Sequence, residues 1–524
     1  MNIVSLWLII FLVPTCLAAG TMVSQKEARA VAENWVAFIM ARDGSWGGSQ
    51  QPVVDEIKPF SRDGFLLGYC ASVRPQGYMI ISSLKGFAPI KAYSAVCNLD
   101  LEQKGGAAAL VKDVLAARAQ FLVRFFGGLD EEHLKNLDQY TLMQNRDLWQ
   151  ALTKGQDLLN MNLASVQAVP GAQTVGPLLK TRWSQYPPYN NDCPDMGCNY
   201  VENVNHNAPV GCIPLAIAQV MRYYCWPPFF DGQQYEWENM QVNEAIYSSQ
   251  DHSFYTENSR QWTAAEINAV ADLCRDPGRV LDADYSCGGT SAYFWSAVYH
   301  DARDAFEDDF YYDTGGNEPE IIDRDDYSYE EWWGIIRDEI DHNRPMVYHL
   351  EEEHGDYEFA HAIVVDGYDV STGQYKVHAN YGWGSDWHTF WYDLDWFDCA
   401  KKSSWSLRCD WEEEMLIRYI YPRNGLSGTF TGVIGPWGGA GTLHNYIYCD
   451  VTSDNMTIQG GARVQFLPGV SLTCTGNSIR IEGHAPGGIS GETRLFTNGM
   501  PTRGARIGKG ASIKLSPNGA LALY

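Results

Sequence analysis

The sequence predicts an α+β protein of several folded units, on the evidence of its length and the order of its hydrophobic patterns. At 524 residues, the chain is longer than a single hydrophobic core usually accommodates. In the middle of the chain, helical periodicity comes first and strand-like runs follow, which is typical of an α+β domain. The last hundred residues are rich in Gly, Thr and Ser and contain short alternating runs, which predicts an all-β unit.

Residues 1–20 have the pattern of a secretory signal peptide. An apolar run from Ile3 to Val13 is followed by Pro14 and small residues, although no Lys or Arg precedes the run. The run is shorter than the roughly 20 residues of a membrane span, and no other segment could cross a bilayer. We therefore expect a secreted, extracellular protein, with a periplasmic or surface-associated location as the alternative. Because of Cys16, a lipoprotein is a further alternative.

Residues 21–150 are predicted to form a small α+β domain. Ser24 is a helix N-cap, with Glu27 three residues later completing a capping box. The predicted elements are a helix at 24–42, strands at 64–72, 78–83 and 89–96, and a second helix at 107–126. Residues 151–175 lose this periodicity and are interpreted as an exposed linker that a protease can cut.

The central unit is predicted to span residues 176–422. Helices are expected at 214–224, 264–273, 291–304 and 332–342, and strands at 345–349, 361–366, 375–380 and 415–421. Such a domain has a cleft where its helical and sheet halves meet.

Residues 423–524 contain an internal repeat. The segment 458–468 matches 507–517 at an offset of 49 residues. This pattern favours a short β-solenoid, and a small β-sandwich is the alternative. A surface or glycan ligand is a candidate partner of this unit.

The net charge of −26 argues against nucleic acid or an anionic membrane as a partner, because both attract basic surfaces. Twelve cysteines remain after the signal, a number more natural to an oxidising compartment. Proximity in the sequence suggests disulfides, although it cannot fix their connectivity. The candidate pairs are Cys70–Cys97, Cys193–Cys198, Cys274–Cys287, Cys399–Cys409 and Cys449–Cys474, with Cys225 left unpaired.

Cys212 begins the amphipathic run 212–221. At a helix N-terminus, the partial positive charge lowers the pKa of a thiol from its free value of roughly 8.5. His361 follows 149 positions later and Asn380 comes next, which is the order of nucleophile, base and third residue in papain-like cysteine proteases. Each residue alone would more often belong to a core, but the ordered set indicates a nucleophilic site.

Four blocks around these residues resemble the streptopain family of cysteine peptidases. They are 211–224 around Cys212, 360–368 around His361, 378–384 around Asn380, and 183–190 around Gln185. Residues 76–83 are also similar to the inhibitory propeptide of that family. The resemblance implies a papain-like fold for the central unit, with an inhibitory propeptide before it.

The resemblance also implies a role for each matched residue. Cys212 would attack the scissile carbonyl, and His361 would keep it as a thiolate and then protonate the leaving amine. Gln185 and the backbone N–H of Cys212 would bind the oxyanion. Asn380 would orient the imidazole, and Trp383 would shield the pair from water.

Two residues depart from the family pattern. Tyr381 replaces the usual tryptophan after the asparagine, and Ala360 replaces the glycine before the histidine, where an added methyl group could narrow substrate access. Ser291 resembles a segment lining the substrate cleft. No metal site or cofactor is predicted, since the acidic and cysteine clusters lack the spacing of calcium and zinc sites.

We therefore expect a secreted cysteine endopeptidase made as a zymogen. Its N-terminal domain would act as an intramolecular inhibitor until the chain is cut between Leu163 and Val175. Substrates would be extended polypeptides with a hydrophobic residue beside the scissile residue. One alternative is an inactive peptidase-like surface adhesin, and the other is an amidase or acyltransferase acting on cell-wall peptides.

Overall fold

The structure is a computed structural model, and it describes two compact units. Its described residues are 22–101, 139–156, 174–393 and 413–422 apart from short internal gaps, scattered positions in 108–119 and at 158, and the backbone of strands between 425 and 523. The first unit comprises residues 1–171 with 372–374, and the second comprises the remainder. Within the described part of the chain, no helix is both long and apolar enough to cross a membrane.

The first unit consists of helices and an antiparallel sheet. Its described elements are α1 (Gln25–Asp43), β1 (Val53–Arg62), β2 (Phe65–Arg74), β3 (Tyr78–Ser82), β4 (Ile90–Ser94) and α2 (Gln139–Lys154). The four strands pair in chain order. Ser24 and Glu27 form the predicted capping box, and α1 buries the apolar face that its periodicity predicts.

Two elements of the first unit differ from the sequence-based expectation. β1 was not predicted because two register shifts against β2 interrupt the alternation of buried and exposed residues. The linker was predicted to begin at residue 151, but α2 continues to Lys154 and buries Leu148, Ala151 and Leu152. Most of the predicted helix at 107–126 and the signal peptide lie outside the described residues.

The second unit begins with helices and ends with strands, which confirms the predicted α+β class. Its main elements are β5 (Thr174–Val175), α3 (Cys212–Tyr224), α4 (Ala264–Val280), β10 (Glu320–Asp323), α5 (Tyr329–Asp341), β11 (Met346–His354), β12 (Tyr357–Asp369), β13 (Lys376–Asn380), β14 (Thr389–Asp393) and β15 (Glu413–Arg418). Two small hairpins between α3 and α4 are formed by β6 (Phe229–Phe230) with β7 (Gln233–Gln234) and by β8 (Ile246–Ser248) with β9 (Ser253–Tyr255).

The sheet of this unit has the strand order β14-β13-β12-β11-β15-β10, and β5 adds to β12. All of these pairs are antiparallel. One face of the sheet, which includes Val347, Val364 and Ile417, belongs to the same buried cluster as α3 and α4. Because nearly every residue of α3 is buried, the helix that carries Cys212 is fixed within the core.

The helix predicted at 291–304 is wrong except at its end. Only Ala302–Asp304 is α-helical, and it continues into a π-helical turn over Ala305–Asp309. The preceding backbone is held in turns by side chains, because Ser296 Oγ accepts the N–H groups of Val298 and Tyr299, and Asp301 accepts that of Ser296. Such local bonds compete with helix formation.

The described part of the C-terminal region consists of strands, β16 (Gly425–Thr429) to β24 (Ala522–Leu523). The intervening strands are β17 (Gly432–Ile434), β18 (Asn445–Ile458), β19 (Arg463–Phe466), β20 (Ser471–Ile481), β21 (Arg494–Phe496), β22 (Gly504–Ile507) and β23 (Ser512–Leu515). They pair in parallel, as rungs of a β-solenoid do, whereas the strands of a β-sandwich are antiparallel.

The register of these strands differs from the offset of the sequence repeat. Ser453 pairs with Cys474, which pairs with Ile507, whereas the repeat aligns Ile507 with Ile458. The step from Ser453 to Cys474 is 21 residues and the step from Cys474 to Ile507 is 33 residues, so the rungs are unequal in length and do not follow the offset of the repeat.

The disulfide pairing also differs from the prediction. Cys198 is bonded to Cys287, whereas Cys70, Cys193 and Cys274 are free, so three of the predicted pairs are wrong. Cys225 is free, as predicted. The pairs Cys399–Cys409 and Cys449–Cys474 involve side chains outside the described residues. Sequence proximity failed here because the bonded cysteines lie 89 residues apart.

A buried ion pair stabilises the sheet on the face opposite α3. Arg324 Nη1 donates to Glu414, whose carboxylate also accepts the hydroxyl of Tyr348 at 2.5 Å. Arg324 is 7 % exposed, Glu414 is 4 % exposed and Tyr348 is fully buried. Glu414 also pairs with Leu350, which is the register partner of His361, so this cluster lies on the face of the sheet that carries the histidine.

We predict that Glu414→Ala lowers the free energy of unfolding by about 3–5 kcal/mol, because it removes the carboxylate that accepts hydrogen bonds from both the buried Arg324 guanidinium and the buried Tyr348 hydroxyl. Urea unfolding measures this loss, and the exposed Glu236→Ala should stay within about 0.5 kcal/mol of wild type. Replacing both charged partners, in Arg324→Met with Glu414→Leu, should cost less than the single change. A double variant less stable than Glu414→Ala would contradict the account.

Candidate active site

Cys212 is the first residue of α3, and its side chain is half-buried. The preceding N-cap is Gly211, which has no side chain to cap the helix. Its φ of +95° is in the left-handed region, and a Cβ there would lie 3.0 Å from the carbonyl oxygen of Thr290. Glycine is therefore required here, and it leaves the first-turn N–H groups without a side-chain cap.

Backbone N–H groups from two elements lie near the sulfur of Cys212 and favour its thiolate form. Ile213 and Cys212 itself provide N–H groups from the start of α3, and Ala362 provides one from β12. Ala362 is the residue after His361. The structure thus brings the sulfur to the neighbour of the predicted base, although the two residues are distant in the sequence.

Burial raises the pKa of the Cys212 thiol, and the three N–H groups only partly oppose that shift. The expectation that the helix N-terminus leaves this pKa lowered is therefore wrong for this state of the protein. The physical reason is that loss of water destabilises the thiolate more than the N–H groups stabilise it. Cys212 is accordingly a neutral thiol here at neutral pH.

His361 is 5 % exposed, and its Nε2 lies 3.1 Å from the backbone carbonyl oxygen of Tyr381. A carbonyl oxygen only accepts hydrogen bonds, so Nε2 of the neutral ring carries the proton and Nδ1 carries the lone pair. Burial lowers the pKa of His361 to about 4; the bond to Tyr381 opposes the shift, and the nearby His349 adds to it. The imidazole is thus a neutral base.

Asn380 does not bond the imidazole in this structure. Its Nδ2 donates to the carbonyl oxygen of Thr181 at 2.8 Å, and its Oδ1 accepts the N–H of Gly382 at 3.1 Å. Asn380 pairs with Val364, an odd number of residues from His361, so the two side chains leave opposite faces of the sheet. The backbone of Tyr381 replaces Asn380 as the observed partner of the ring.

Aromatic side chains surround His361. Trp383 stacks on its ring with centroids 4.3 Å apart, and Tyr381 lies parallel to it at 6.0 Å. Tyr381 itself stacks on Phe390 at 4.5 Å and is almost completely buried. Its hydroxyl is buried without a hydrogen-bond partner among the described residues. Tyrosine therefore fills the position of the usual tryptophan at the cost of one unsatisfied polar group.

Gln185 lies beside the segment that leads into Cys212. Its carbonyl oxygen accepts the N–H of Val210 at 2.9 Å. Its side chain is half-buried, and it is anchored between Trp183 and Tyr189, which are both fully buried. Through this bond, Gln185 lies beside Val210, the residue directly before Gly211.

The other predicted residues border the site at its surface. Ser291 is exposed and forms a β-bridge with Asp284, and the adjacent Thr290 donates its hydroxyl to the carbonyl oxygen of Pro209 at 2.6 Å. Ala360 is exposed on β12, opposite Glu351. The loop that carries Ser291 therefore contacts the backbone at Pro209, three residues before Cys212. Ala360 lies on β12, two residues before Ala362.

Sequence reasoning missed two groups at the site. His349 is the register partner of Ala362, is 7 % exposed, and stacks on Phe294 with centroids 4.8 Å apart. Burial lowers its pKa to about 4. A histidine inside the apolar run 346–350 was the available signal. No sequence signal points to the backbone carbonyl of Tyr381, because every residue carries that group. Among the described residues, no cluster of potential metal ligands is present.

Comparison with known proteins finds similarity to cysteine peptidases over this part of the chain. Residues 183–391 match the model of the Peptidase C10 family. Streptopain of Streptococcus pyogenes is 28% identical over 194 residues, which cover 34% of this chain and 44% of streptopain. The thiol protease/hemagglutinin PrtT of Porphyromonas gingivalis is 24% identical over 225 residues, covering 40% of this chain and 24% of PrtT. The match thus spans less than half of these curated relatives.

Two solved structures from Prevotella intermedia are also similar. A prointerpain A fragment aligns with a TM-score of 0.43 and 20% identity, covering 70% of this chain and 99% of that one. Active interpain A aligns with a TM-score of 0.35 and 24% identity, covering 47% and 95%. The family match and the two curated relatives agree that residues 183–391 of this chain are similar to streptopain-type cysteine peptidases.

Proposed function

We propose that the protein is a secreted cysteine endopeptidase, made as a zymogen, with Cys212 as nucleophile and His361 as base. The observation that carries this proposal is the proximity of the Ala362 N–H to the sulfur of Cys212, where it favours the thiolate, because Ala362 is the residue after the histidine. The neutral His361, with its Nε2–H on a carbonyl, offers the Nδ1 lone pair that a thiol proton needs.

Acylation would proceed with proton transfer coupled to attack. Both pKa directions favour a neutral pair, so the thiol of Cys212 loses its proton to His361 as its sulfur bonds to the substrate carbonyl carbon. The imidazolium then protonates the leaving amine, and the C–N bond breaks to give a thioester. Water, deprotonated by the same imidazole, hydrolyses the thioester and restores Cys212.

The tetrahedral intermediate needs donors for its oxyanion. The N–H of Cys212 is at the start of α3, and Gln185 is tied to the same segment through Val210. We assign these two groups to the oxyanion, by resemblance to the family and by their position. Asn380 is assigned a positioning role, since its bonds to Gly382 and Thr181 fix the turn whose Tyr381 carbonyl holds the imidazole.

The N-terminal unit is proposed to be the inhibitory propeptide, with polypeptides that carry a hydrophobic residue beside the scissile residue as substrates. The chain from Thr174 onward is fastened to the peptidase sheet: β5 pairs with Tyr368 and Asp369, and Asp366 accepts the N–H groups of Leu178 and Leu179. A cut between Leu163 and Val175 would therefore release the propeptide and leave the chain from Leu178 onward in place.

The direct test compares the purified precursor with Cys212→Ala. We expect wild type with reductant to convert to fragments that begin between residues 163 and 175 and to hydrolyse casein, because Cys212 is the proposed nucleophile and must be reduced to form the acyl-enzyme. The variant should lose casein hydrolysis by about 10⁴-fold or more, and mass spectrometry should find no self-processing.

Cys225→Ala is the matched control, since Cys225 is a buried free cysteine just past the other end of α3. It should process and hydrolyse casein like wild type. Undiminished casein hydrolysis by Cys212→Ala would refute the proposal. Cleavage of peptidoglycan peptides but not casein would favour the amidase alternative.

We predict that iodoacetamide labels Cys212 of the precursor slowly at neutral pH and faster as the pH rises past the pKa of a free cysteine. The reason is that burial raises the pKa of this thiol, and the thiolate is the reactive species. Peptide mapping across a pH series measures the rate at Cys212. A labelling midpoint below pH 8 would instead indicate a thiolate–imidazolium pair already formed in the precursor.

For the oxyanion assignment, Gln185→Ala should lower kcat by about 10²–10³-fold, as loss of one such donor usually does. Labelling of Cys212 should stay unchanged, because the side chain of Gln185 is assigned to the oxyanion and not to the sulfur. Gln241→Ala is a control at another partly buried glutamine, which bonds Glu266 instead. If kcat of Gln185→Ala stays within threefold of wild type, the assignment is wrong.

A further inference from the structure

The disulfide Cys198–Cys287 joins a loop that leads into residues 209–211, directly before Cys212, to a second loop that contacts those residues. We define the first loop as residues 191–208 and the second as residues 284–291. The bond connects positions 89 residues apart in the sequence. Cys198 is buried and Cys287 is exposed, so one sulfur of the bond is open to solvent.

Backbone and side-chain hydrogen bonds hold the first loop and the segment that leads from it to Gly211. Ala208 donates its N–H to the carbonyl oxygen of Pro194, and Val210 donates to that of Gln185. Asn207 Nδ2 donates to the carbonyl oxygens of Asn190 and Asn191 at 3.0 and 2.7 Å. Movement of this loop would therefore displace both the proposed oxyanion residue and the backbone before Gly211.

The second loop contacts the same backbone from another side. Thr290 donates its hydroxyl to the carbonyl oxygen of Pro209 at 2.6 Å, and its own carbonyl lies against Gly211. Tyr200 of the first loop donates its hydroxyl to the carbonyl oxygen of Cys287 at 2.5 Å. The ring of Tyr200 packs on Tyr186, the residue after Gln185, with centroids 4.6 Å apart.

We propose that the Cys198–Cys287 disulfide is a positioning element that fixes Gln185 and Cys212 through these two loops. It rests on the proposed function above. Activity then requires opposite redox states from different cysteines of one domain. Cys212 must remain a thiol, whereas Cys198 and Cys287 must remain oxidised. Activity should therefore rise with reductant and fall again once the disulfide opens.

The opening step is ordinary thiol–disulfide exchange with a dithiol such as dithiothreitol. Its thiolate attacks the exposed sulfur of Cys287, forming a mixed disulfide and releasing Cys198 as a thiolate that takes up a proton. The second thiol of the reagent then displaces Cys287 and closes a cyclic disulfide. The protein gains two electrons and two protons, and dithiothreitol is oxidised.

The experiment titrates the activated wild-type enzyme with dithiothreitol and follows kcat and KM for a peptide substrate. At each concentration, alkylation and mass spectrometry report the state of Cys198 and Cys287, and far-UV circular dichroism reports folding. We expect kcat to fall about 10- to 100-fold as the bond opens, with KM changing less than threefold, because displaced oxyanion donors act on the transition state. The circular dichroism should persist.

The double variant Cys198→Ser with Cys287→Ser should show the low kcat at every reductant concentration, without the decline. Cys225→Ser, a change at a free cysteine outside both loops, should follow wild type. An unchanged kcat with both loop cysteines fully reduced overturns the inference, as does loss of activity that tracks loss of circular dichroism. Absence of peptidase activity at every concentration would refute the proposed function instead.

Discussion

The site depends on one contact, the close approach of the Ala362 N–H on the sheet to the sulfur of Cys212 at the start of α3. Strands β12 and β13 pair only as far as Val364 and Asn380, so the chain beyond that point turns towards the helix end. This divergence lets backbone groups of Ala362 and Tyr381 meet the thiol and the imidazole. The buried packing of α3 against the sheet holds both sides of the contact in place.

The same burial that makes the geometry rigid also sets the chemistry. It raises the pKa of the Cys212 thiol and lowers that of His361, so each group is neutral before substrate arrives. Aromatic packing from Trp383 and Tyr381 contributes to the dry surroundings of the imidazole. A reaction that begins from a neutral pair places its charge separation in the transition state, where preorganised oxyanion donors have the largest effect.

Hydrophobic periodicity allowed the α+β class to be predicted, and chain order is the basis for proposing Cys212 as nucleophile and His361 as base. The hydrogen-bond partner of His361 could not be identified from the sequence, because it is a backbone carbonyl. Whether the side chains of His361 and Asn380 lie on the same face of the sheet depends on strand register, which only the structure shows. The Cys198–Cys287 bond joins distant loops, which proximity cannot detect. The segment before Asp301 forms turns because its own side chains compete for the backbone.

Cross-linking with 1,3-dibromoacetone measures the central claim most directly, because the reagent alkylates a thiol and then bridges only to a nucleophile a few ångströms away. The activated enzyme would be treated at neutral to mildly alkaline pH, digested and mapped by mass spectrometry. The account predicts one bridged product that joins the peptide of Cys212 to the peptide of His361. Singly alkylated Cys212, with the His361 peptide unmodified, would contradict it.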